Sequence, residues 1–582
     1  MRKAPFTYEV IRDSLVFLCE EMGAELRKIA ISTIIREAQD FATGLTDARG
    51  QLIAQAAYTP GHYNTISAAT RGVLASLRGA RLRPGDVLIT NDPWLCAGHL
   101  PDIFVFTPAF IGGRLFAFLV TVAHHIDVGG KNPGSTTPNS TEIYQEGLQI
   151  PPLKLREGGR PNTTLEAMVR QNVRLPEVVL SDIRSQLAVN DRGRRRLEAL
   201  CRKFGPTTVQ QAMQDSLARS ERLTRAEIAR IPDGCYRWAD ALDDDGVTEE
   251  PVKIAATVAV RGERIAIDFA GSSPQVRGGI NMTPPFRDAY THMAVRCFLD
   301  PAIPHNEGCL RPVRIIAPEG TVVNPRRPAA VAGRGEVIGR LVDVLIACLS
   351  QAVPARTMAG YGGNRAQPVF SGIQPRTGRP FIMMDTTWGG MGGRRGKDGA
   401  TCLSFPQNVG NHSIEVLESL YPVQVARFAI RQDSEGAGRF RGGFGAVKDY
   451  RFLVDGTVQC GGDRCKFPPF GLEGGRPGPL EEFVLIRQGT EERLRTKRDY
   501  ALRAGDVFSV RTPGGGGLGD PLARDPARVL ADWAADYISL GRAREVYGVA
   551  IDPAGAVVDA EARRARREGL ASGPAAGARG RP

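Results

Sequence analysis

One spacing, His-x-x-Asp, occurs twice in this chain, at His99/Asp102 and at His124/Asp127. Imidazole nitrogen and carboxylate oxygen together suit a borderline divalent ion such as Zn²⁺, Mn²⁺ or Fe²⁺. A mixed N/O set of this kind ordinarily leaves a coordination position open. No Cys pair lies nearby to build a closed thiolate site. Three of the seven histidines fall in this stretch, His125 directly following His124. A structural reading competes: Asp102 would cap a turn, and His124 and His125, if both on a strand, must point to opposite faces.

The residues between the two copies predict a single β-hairpin. Ile103–Phe110 and Leu115–Ala123 are rich in Phe, Val and Ile, and Gly112-Gly113 suits a two-residue turn that needs positive φ. Pairing about that turn sets Asp102 opposite Ala123, so the first His-x-x-Asp enters the hairpin where the second leaves it. Pro108 removes a ladder donor and implies an edge or bulged strand.

A chain of 582 residues is too long for one core, and its pattern predicts a multidomain α+β protein with mixed or antiparallel sheets. Residues 1–163 form an N-terminal α+β domain that opens with helical periodicity from Phe6 to Gln39 and contains the hairpin. A helical arm spans 164–231, a central α+β domain 232–420 and a Gly-rich β region 421–524. A helical segment at 525–560 and a disordered basic tail at 561–582 complete the chain.

The formal charge of +12 is partly carried by Arg563, Arg564, Arg566, Arg567, Arg579 and Arg581 of that tail, and elsewhere basic and acidic residues are mixed. With no aromatic-basic interleaving, nucleic-acid binding is not expected. No apolar run approaches a membrane span, and Met1-Arg-Lys-Ala-Pro lacks a signal-peptide core, so no membrane association and a cytoplasmic location are expected. Ten scattered cysteines without C-x-x-C imply neither a disulfide framework nor a thiolate zinc site.

Other motifs are weaker. Trp388-Gly-Gly-Met-Gly-Gly-Arg-Arg-Gly-Lys-Asp-Gly fails as a phosphate loop, with Asp398 where Ser or Thr would hold Mg²⁺. Its backbone N–H groups, with Arg394, Arg395 and Lys397, would suit an anionic ligand, and a plain loop explains it equally well. The glycines at Gly436–Gly445 and Gly514–Gly519 read as turns needing positive φ. Cys309, four residues after His305, is a weak candidate nucleophile.

Taken in order, Glu37-Ala-Gln-Asp40-Phe41, Asn91-Asp92-Pro93-Trp94, Gly98-His99-Leu-Pro-Asp102, Ala123-His124-His125-Ile-Asp127-Val-Gly-Gly130, Glu142-Ile-Tyr-Gln-Glu146-Gly147, Asp268-Phe-Ala-Gly-Ser272, Asn306-Glu-Gly-Cys-Leu-Arg311-Pro, Asn324-Pro325 and Arg441-Gly-Gly-Phe-Gly445 form an ordered set. Over about Thr7 to Pro521 the chain resembles the hydantoinase B/oxoprolinase family, the B-type subunits of ATP-dependent N-methylhydantoinases. The resemblance implies a cytoplasmic hetero-oligomer whose A-type partner has a kinase-like fold, binds ATP-Mg and phosphorylates a substrate carbonyl. It also implies a divalent metal on His99, Asp102, His124 and Asp127, with His125, Asp92, Glu37 and Asp40 as further ligands or supporting groups.

The expected activity is therefore opening of a cyclic amide such as a hydantoin, 5-oxoproline or another lactam after its carbonyl is phosphorylated. A divalent ion would bring the pKa of water towards about 7. His125 or Asp92 would act as general base, and Arg394 or Lys397 would hold phosphate. Two rivals stand beside this: the metal-binding subunit of an acetone- or acetophenone-type carboxylase, and a non-catalytic scaffold that docks the A-type chain.

Overall fold

The hairpin occupies the middle of a seven-stranded antiparallel sheet. Its strands are β1 (Phe41–Asp47), β2 (Leu52–Gln55), β3 (Val87–Thr90), β4 (Asp102–Ile111), β5 (Arg114–His124), β6 (Leu153–Glu157) and β7 (Arg160–Pro161), in the order β2-β1-β5-β4-β3-β6-β7. The computed structural model describes residues 5–77, 81–136, 138–363 and 366–552, so the tail expected at 561–582 lies outside the described residues. Both faces of β4 and β5 are covered, which explains their near-continuous apolar sequence. Phe104, Phe106, Phe118, Val120 and Val122 join a core with Phe286, Ile338 and Leu341, and Ile103 and Val105 pack with Ile183 and Leu187.

The hairpin register differs from the sequence expectation by one residue. Ile111 faces Arg114 as anticipated, but a bulge between Ala109 and Phe110 leaves Phe116 without a partner, and Asp102 then faces His124 instead of Ala123. A one-residue shift moves a side chain to the other face of a sheet. The bulge therefore puts His124 on the face of Asp102 and sends His125 to the opposite one. Pro108 is tolerated in this central strand because β3 pairs only with Phe104–Phe106 and ends before reaching it.

The stretch read as an arm does not project. Helices Thr163–Asn172, Pro176–Phe204 and Pro206–Ile228 follow one another, and the long middle helix lies on the sheet. Its Gln186 and Asn190 amides donate to the carbonyls of Ile103 and Val105, both at 3.0 Å. A second sheet, β8 (Gly234–Leu242), β9 (Val252–Arg261), β10 (Arg264–Asp268) and β11 (Val313–Ile316), is antiparallel except for its β10–β11 pair. Helix Gly335–Ala352 packs against this sheet and is buried almost throughout. Among the described residues no helix is long and apolar enough to cross a membrane.

Residues 367–511 form two further sheets. One orders β13 (Pro380–Met384), β12 (Gln367–Ile373), β16 (Gly456–Gly461) and β19 (Arg498–Leu502). The other orders β14 (Val423–Ile430), β15 (Ala446–Phe452), β20 (Val507–Arg511), β17 (Glu482–Arg487) and β18 (Thr490–Arg493). Two short helices, Pro526–Ala534 and Leu540–Tyr547, follow.

The glycine tracts are not the turns that their composition suggests. Gly519 has φ of +77°, but Gly436, Gly442, Gly443 and Gly514–Gly517 are absent from the positive-φ set. They belong to backbone segments running side by side: Gly393 N–H donates to Gly516 C=O, Gly516 to Gly360, Gly515 to Gly443 and Gly443 to Met391, at 2.8–2.9 Å. A Cβ on Gly390 would sit 1.9 Å from the Gly443 oxygen, and one on Gly515 2.0 Å from the Met391 oxygen. Glycine is required here because main chains touch. Gly515→Ala is expected to cost about 3 kcal/mol or more in a chemical-denaturation experiment. Gly262→Ala, in a hairpin turn at φ +55° with nothing near its Cβ position, should cost about 1 kcal/mol.

Candidate functional site

Asp102, at the first residue of β4, is fully buried and gathers four partners. His99 Nε2 lies 2.8 Å and His124 Nδ1 2.9 Å from Oδ1; His62 Nε2 lies 3.1 Å from Oδ2, which also contacts the Arg334 guanidinium. Each partner is delivered by a different local device. Gly98 (φ +85°) turns the chain into His99 and lets Arg334 and Phe286 approach within the space of a Cβ. The hairpin bulge presents His124, whose N–H donates to the Asp40 carbonyl at 3.0 Å. His62 sits on the one-turn helix Pro60–Tyr63, where Gly61 closes against Phe286 and Tyr290. Arg334 directly precedes helix Gly335–Ala352 and stacks over the Phe286 ring, 3.5 Å from its centroid.

The His99 contact has a particular chemistry. Its Nδ1 lies 3.2 Å from the Ala332 carbonyl, which can only accept, so Nδ1 carries the proton. Nε2 then presents a lone pair to the Asp102 oxygen 2.8 Å away, and the two are not aligned as a hydrogen bond. Burial and the neighbouring Arg334 push the His99 pKa down to about 3 against the opposing pull of Asp102. Two ligand atoms bound about 2 Å from one ion at right angles lie about 2.9 Å apart. His99, Asp102 and His124 offer donor atoms all within 4.8 Å of one another, and His124 Nε2 is likewise buried without a partner. Their donor types fit a divalent ion of the Zn²⁺, Mn²⁺ or Fe²⁺ class.

Burial alone would raise the Asp102 pKa, but His99, His62, Arg334 and the hydrogen bond from His124 outweigh it and hold the carboxyl well below its usual range. For His62 burial opposes protonation, yet Asp102 and Asp40 prevail and raise its pKa. Its Nδ1, 3.6 Å from Asp40 Oδ1, has no hydrogen-bond partner.

These groups form one wall of a narrow cavity of about 20 Å³, the room of a single water molecule. Asp40, Thr59, His62, His99, His124 and Arg334 line this side; Gln367, Thr386, Trp388, Gln407 and Val409 line the other. Behind the second wall, the buried Asp385 carboxylate accepts from His412 Nδ1 (3.0 Å), Lys448 Nζ (2.5 Å) and Tyr450 OH (2.8 Å), fixing the backbone that carries Thr386 to Trp388.

Several sequence candidates lie elsewhere. Asp127 is not in the cluster: its carboxylate is filled by the N–H groups of Gly129, Gly134 and Arg174 and by the Arg174 guanidinium, and it organises the loop after β5. His125 faces helix Pro176–Phe204, with Nε2 3.1 Å from Gln186 Oε1. Asp92 pairs with Arg327 and accepts from Trp94 N–H. Glu37 closes the helix Thr33–Arg36. None of these four lines the cavity. Arg394 and Lys397 close a turn on each other's backbone, and the N–H groups of Gly390 and Gly393 bond to the Pro513 and Gly516 carbonyls. Cys309 is buried, and burial raises its pKa, which removes the basis for a nucleophile.

His62 and Arg334 escaped the sequence reading. His62 is a lone histidine with no partner at ligand spacing, and Arg334 lies far from the paired motifs in sequence; the usable signal was Asp40, which directly precedes β1 and accepts from the His124 backbone N–H.

Glu146 supports the cluster from behind. Its Oε1 accepts from the N–H groups of Val331 and Ala332 at 2.8 and 2.9 Å, beside the carbonyl that receives His99 Nδ1. Burial lifts its pKa to about 8 despite those bonds. Between its unfolded value near 4.5 and about 8 the folded state holds a proton that the unfolded chain has lost, so stability falls as pH rises through this window. Glu146→Gln should remove up to a few kcal/mol of that pH dependence, read as unfolding free energy from pH 5 to 9. Asp127→Ala should cost about 3 kcal/mol by stranding Arg174 and three N–H groups.

Several known proteins match this chain over most of its length. A protein described as the B-type subunit of a D-/L-hydantoinase in Pseudomonas sp. (strain NS671) is 33% identical over 94% of this chain and 95% of its own length. The caprolactamase subunit beta of Pseudomonas jessenii is 30% identical over 96% of this chain and 98% of its own, and the crystal structure of ATP-dependent caprolactamase from that organism superposes with a TM-score of 0.91 at 28% identity, covering 98% of this chain and 100% of that one. An acetone carboxylase chain superposes at 0.90 with 20% identity over 98% of this chain and 84% of its own, a likeness of fold. The hydantoinase B/oxoprolinase profile matches residues 4–521, and the chain belongs to the hydantoinase B/oxoprolinase family.

Proposed function

We propose that this chain is the metal-bearing B-type subunit of a cytoplasmic, ATP-dependent cyclic-amide hydrolase that opens a hydantoin, 5-oxoproline or another lactam. An A-type partner with a kinase-like fold binds ATP-Mg and phosphorylates the amide carbonyl. The observation that carries this reading is the buried cluster of His99, Asp102 and His124, with their donor atoms within 4.8 Å of one another, in a chain 30% identical to a caprolactamase subunit.

An unactivated lactam is a poor electrophile; phosphorylation of its oxygen makes the ring carbon open to water, the C–N bond then breaks with a proton delivered to nitrogen, and a second water releases phosphate from the acyl phosphate that remains. His99, Asp102 and His124 hold the divalent ion, and when bound it makes water nucleophilic near neutral pH. Ring opening also needs one group to take a proton from water and another to deliver one to the departing nitrogen. Asp40, fixed by Thr59 Oγ1 at 3.1 Å, is placed for the first task, and His62, with its raised pKa and free Nδ1 on the cavity, for the second. Arg334 neutralises Asp102 on the side away from His99 and His124.

Co-expression with the partner and a screen of lactams and ketones for ATP turnover tests the reading. Ring opening independent of bicarbonate is expected. Turnover of a ketone only, dependent on bicarbonate, would establish the carboxylase instead. His99→Ala and His124→Ala should lose stoichiometric metal by elemental analysis and lower activity at least about 10²-fold, whereas Asp127→Ala should keep its metal. Undiminished activity of metal-free His99→Ala would reduce the chain to a scaffold.

A further inference from the structure

The wall opposite the histidines carries several unpaired polar atoms. Gln407 is 3% exposed, and neither its Oε1 nor its Nε2 has a hydrogen-bond partner among the described residues; the same holds for Trp388 Nε1 and Thr386 Oγ1, on residues 2% and 3% exposed. All three residues line the cavity, which has the room of one water molecule. Buried donors and acceptors are almost always satisfied, so polar atoms left open around a space of that size mark the partners of a water. Asp40 and His62 line the same space from the other side, and a water held there is within reach of both walls.

The geometry points to Gln407 as the residue that orients the attacking water. This rests on the proposed function, in which Asp40 takes a proton from that water. Gln407 Oε1 accepts the other hydrogen, so both O–H bonds are fixed and the oxygen lone pairs remain for bonding. The water oxygen bonds the ring carbon of the phosphorylated lactam, the C=N π pair moves onto nitrogen, one proton passes to Asp40, and Gln407 is unchanged. The segment that carries Gln407 is anchored beside this base: Asn408 Nδ2 donates to the Tyr58 carbonyl at 3.0 Å, Gly410 N–H to the Ala38 carbonyl at 2.8 Å and Val409 N–H to Ser404 Oγ at 2.8 Å. Tyr58 directly precedes Thr59, whose Oγ1 donates to Asp40 at 3.1 Å, and Ala38 lies two residues before Asp40. Hydrogen bonds across the cavity thus set the separation of Gln407 from Asp40, as the positioning of a nucleophile requires. The segment stays in place during the reaction. Val409 and Asp40 are the least buried residues of the lining, so the ring carbon comes to the water from their side and the ring remains outside the cavity.

Crystals of the full chain and kinetics of its complex with the A-type partner test this. Wild-type crystals should show one water between the Gln407 and Asp40 side chains, and Gln407→Met crystals should lack it. In the complex, Gln407→Met should lower kcat for lactam opening at least about 10²-fold, with KM, bound metal and thermal midpoint unchanged. A wild-type cavity without that water, a Gln407→Met complex with full kcat, or a loss carried by KM alone would overturn the assignment. Because the first of these is read on wild-type protein, it holds even where the variant misfolds. Absence of lactam turnover by the wild-type complex is a separate result: it removes the hydrolase reading and Gln407's part in the reaction with it, whereas full turnover by Gln407→Met removes only the role of Gln407.

Discussion

Burying the carboxylate of Asp102 is the constraint around which the structure is arranged. An isolated buried carboxylate costs many kcal/mol, and a protein retains one only by surrounding it with charge and hydrogen bonds. Here that surround is drawn from His62, His99, His124 and Arg334, which lie far apart in sequence. Each must arrive with its backbone already fixed: the bulge in the hairpin, the positive-φ Gly98, the Gly61 contact and the start of a buried helix all serve one oxygen pair. Even so, the compensation is incomplete, because the 2.8 Å contact of His99 Nε2 with Asp102 is not aligned as a hydrogen bond. The donor types gathered there, two imidazoles and a carboxylate, are those that suit a divalent cation.

The opposite wall is held by different physics. Trp388 leads directly into Gly389–Gly393, which pass close enough to Gly443 and Gly515 that a methyl group would collide with carbonyl oxygens. Direct contact of hydrogen-bonded main chains leaves little room for side-chain rearrangement. The Asp385 cluster adds an ionic anchor at the other end of the same short segment. A charged wall supplied by the first sheet thus meets a polar wall fixed by glycine-packed backbone, and the cavity exists only where the two abut.

The sequence made half of this legible. Alternation and the Gly112-Gly113 turn located β4 and β5, and His-x-x-Asp spacing singled out three of the clustered residues. Pro108 gave warning of a bulged strand, but not of which residue would be skipped, so an ideal register set Ala123 where His124 belongs once the bulge at Ala109-Phe110 is counted. The repeat of the motif also misled, because Asp127 shares the spacing of Asp102 but turns into a loop of N–H donors with Arg174. His62 and Arg334 were invisible because long-range packing, and not local pattern, brings them to Asp102. The glycines were recognised as unusual but assigned to turns, since composition does not separate a residue needed for positive φ from one needed for close approach.

The distribution of charge across the cavity bears on how two subunits can share one reaction. The histidine wall combines a deeply depressed carboxyl at Asp102 with a raised His62, so it can keep an anion and a proton donor a few ångströms apart. Across the cavity, the N–H groups of Gly390, Met391 and Gly393 bond to the carbonyls of Pro513, Ala400 and Gly516. The backbone closeness that fixes Trp388 and Thr386 thus consumes the Gly390, Met391 and Gly393 N–H groups, donors of the kind a phosphate loop uses.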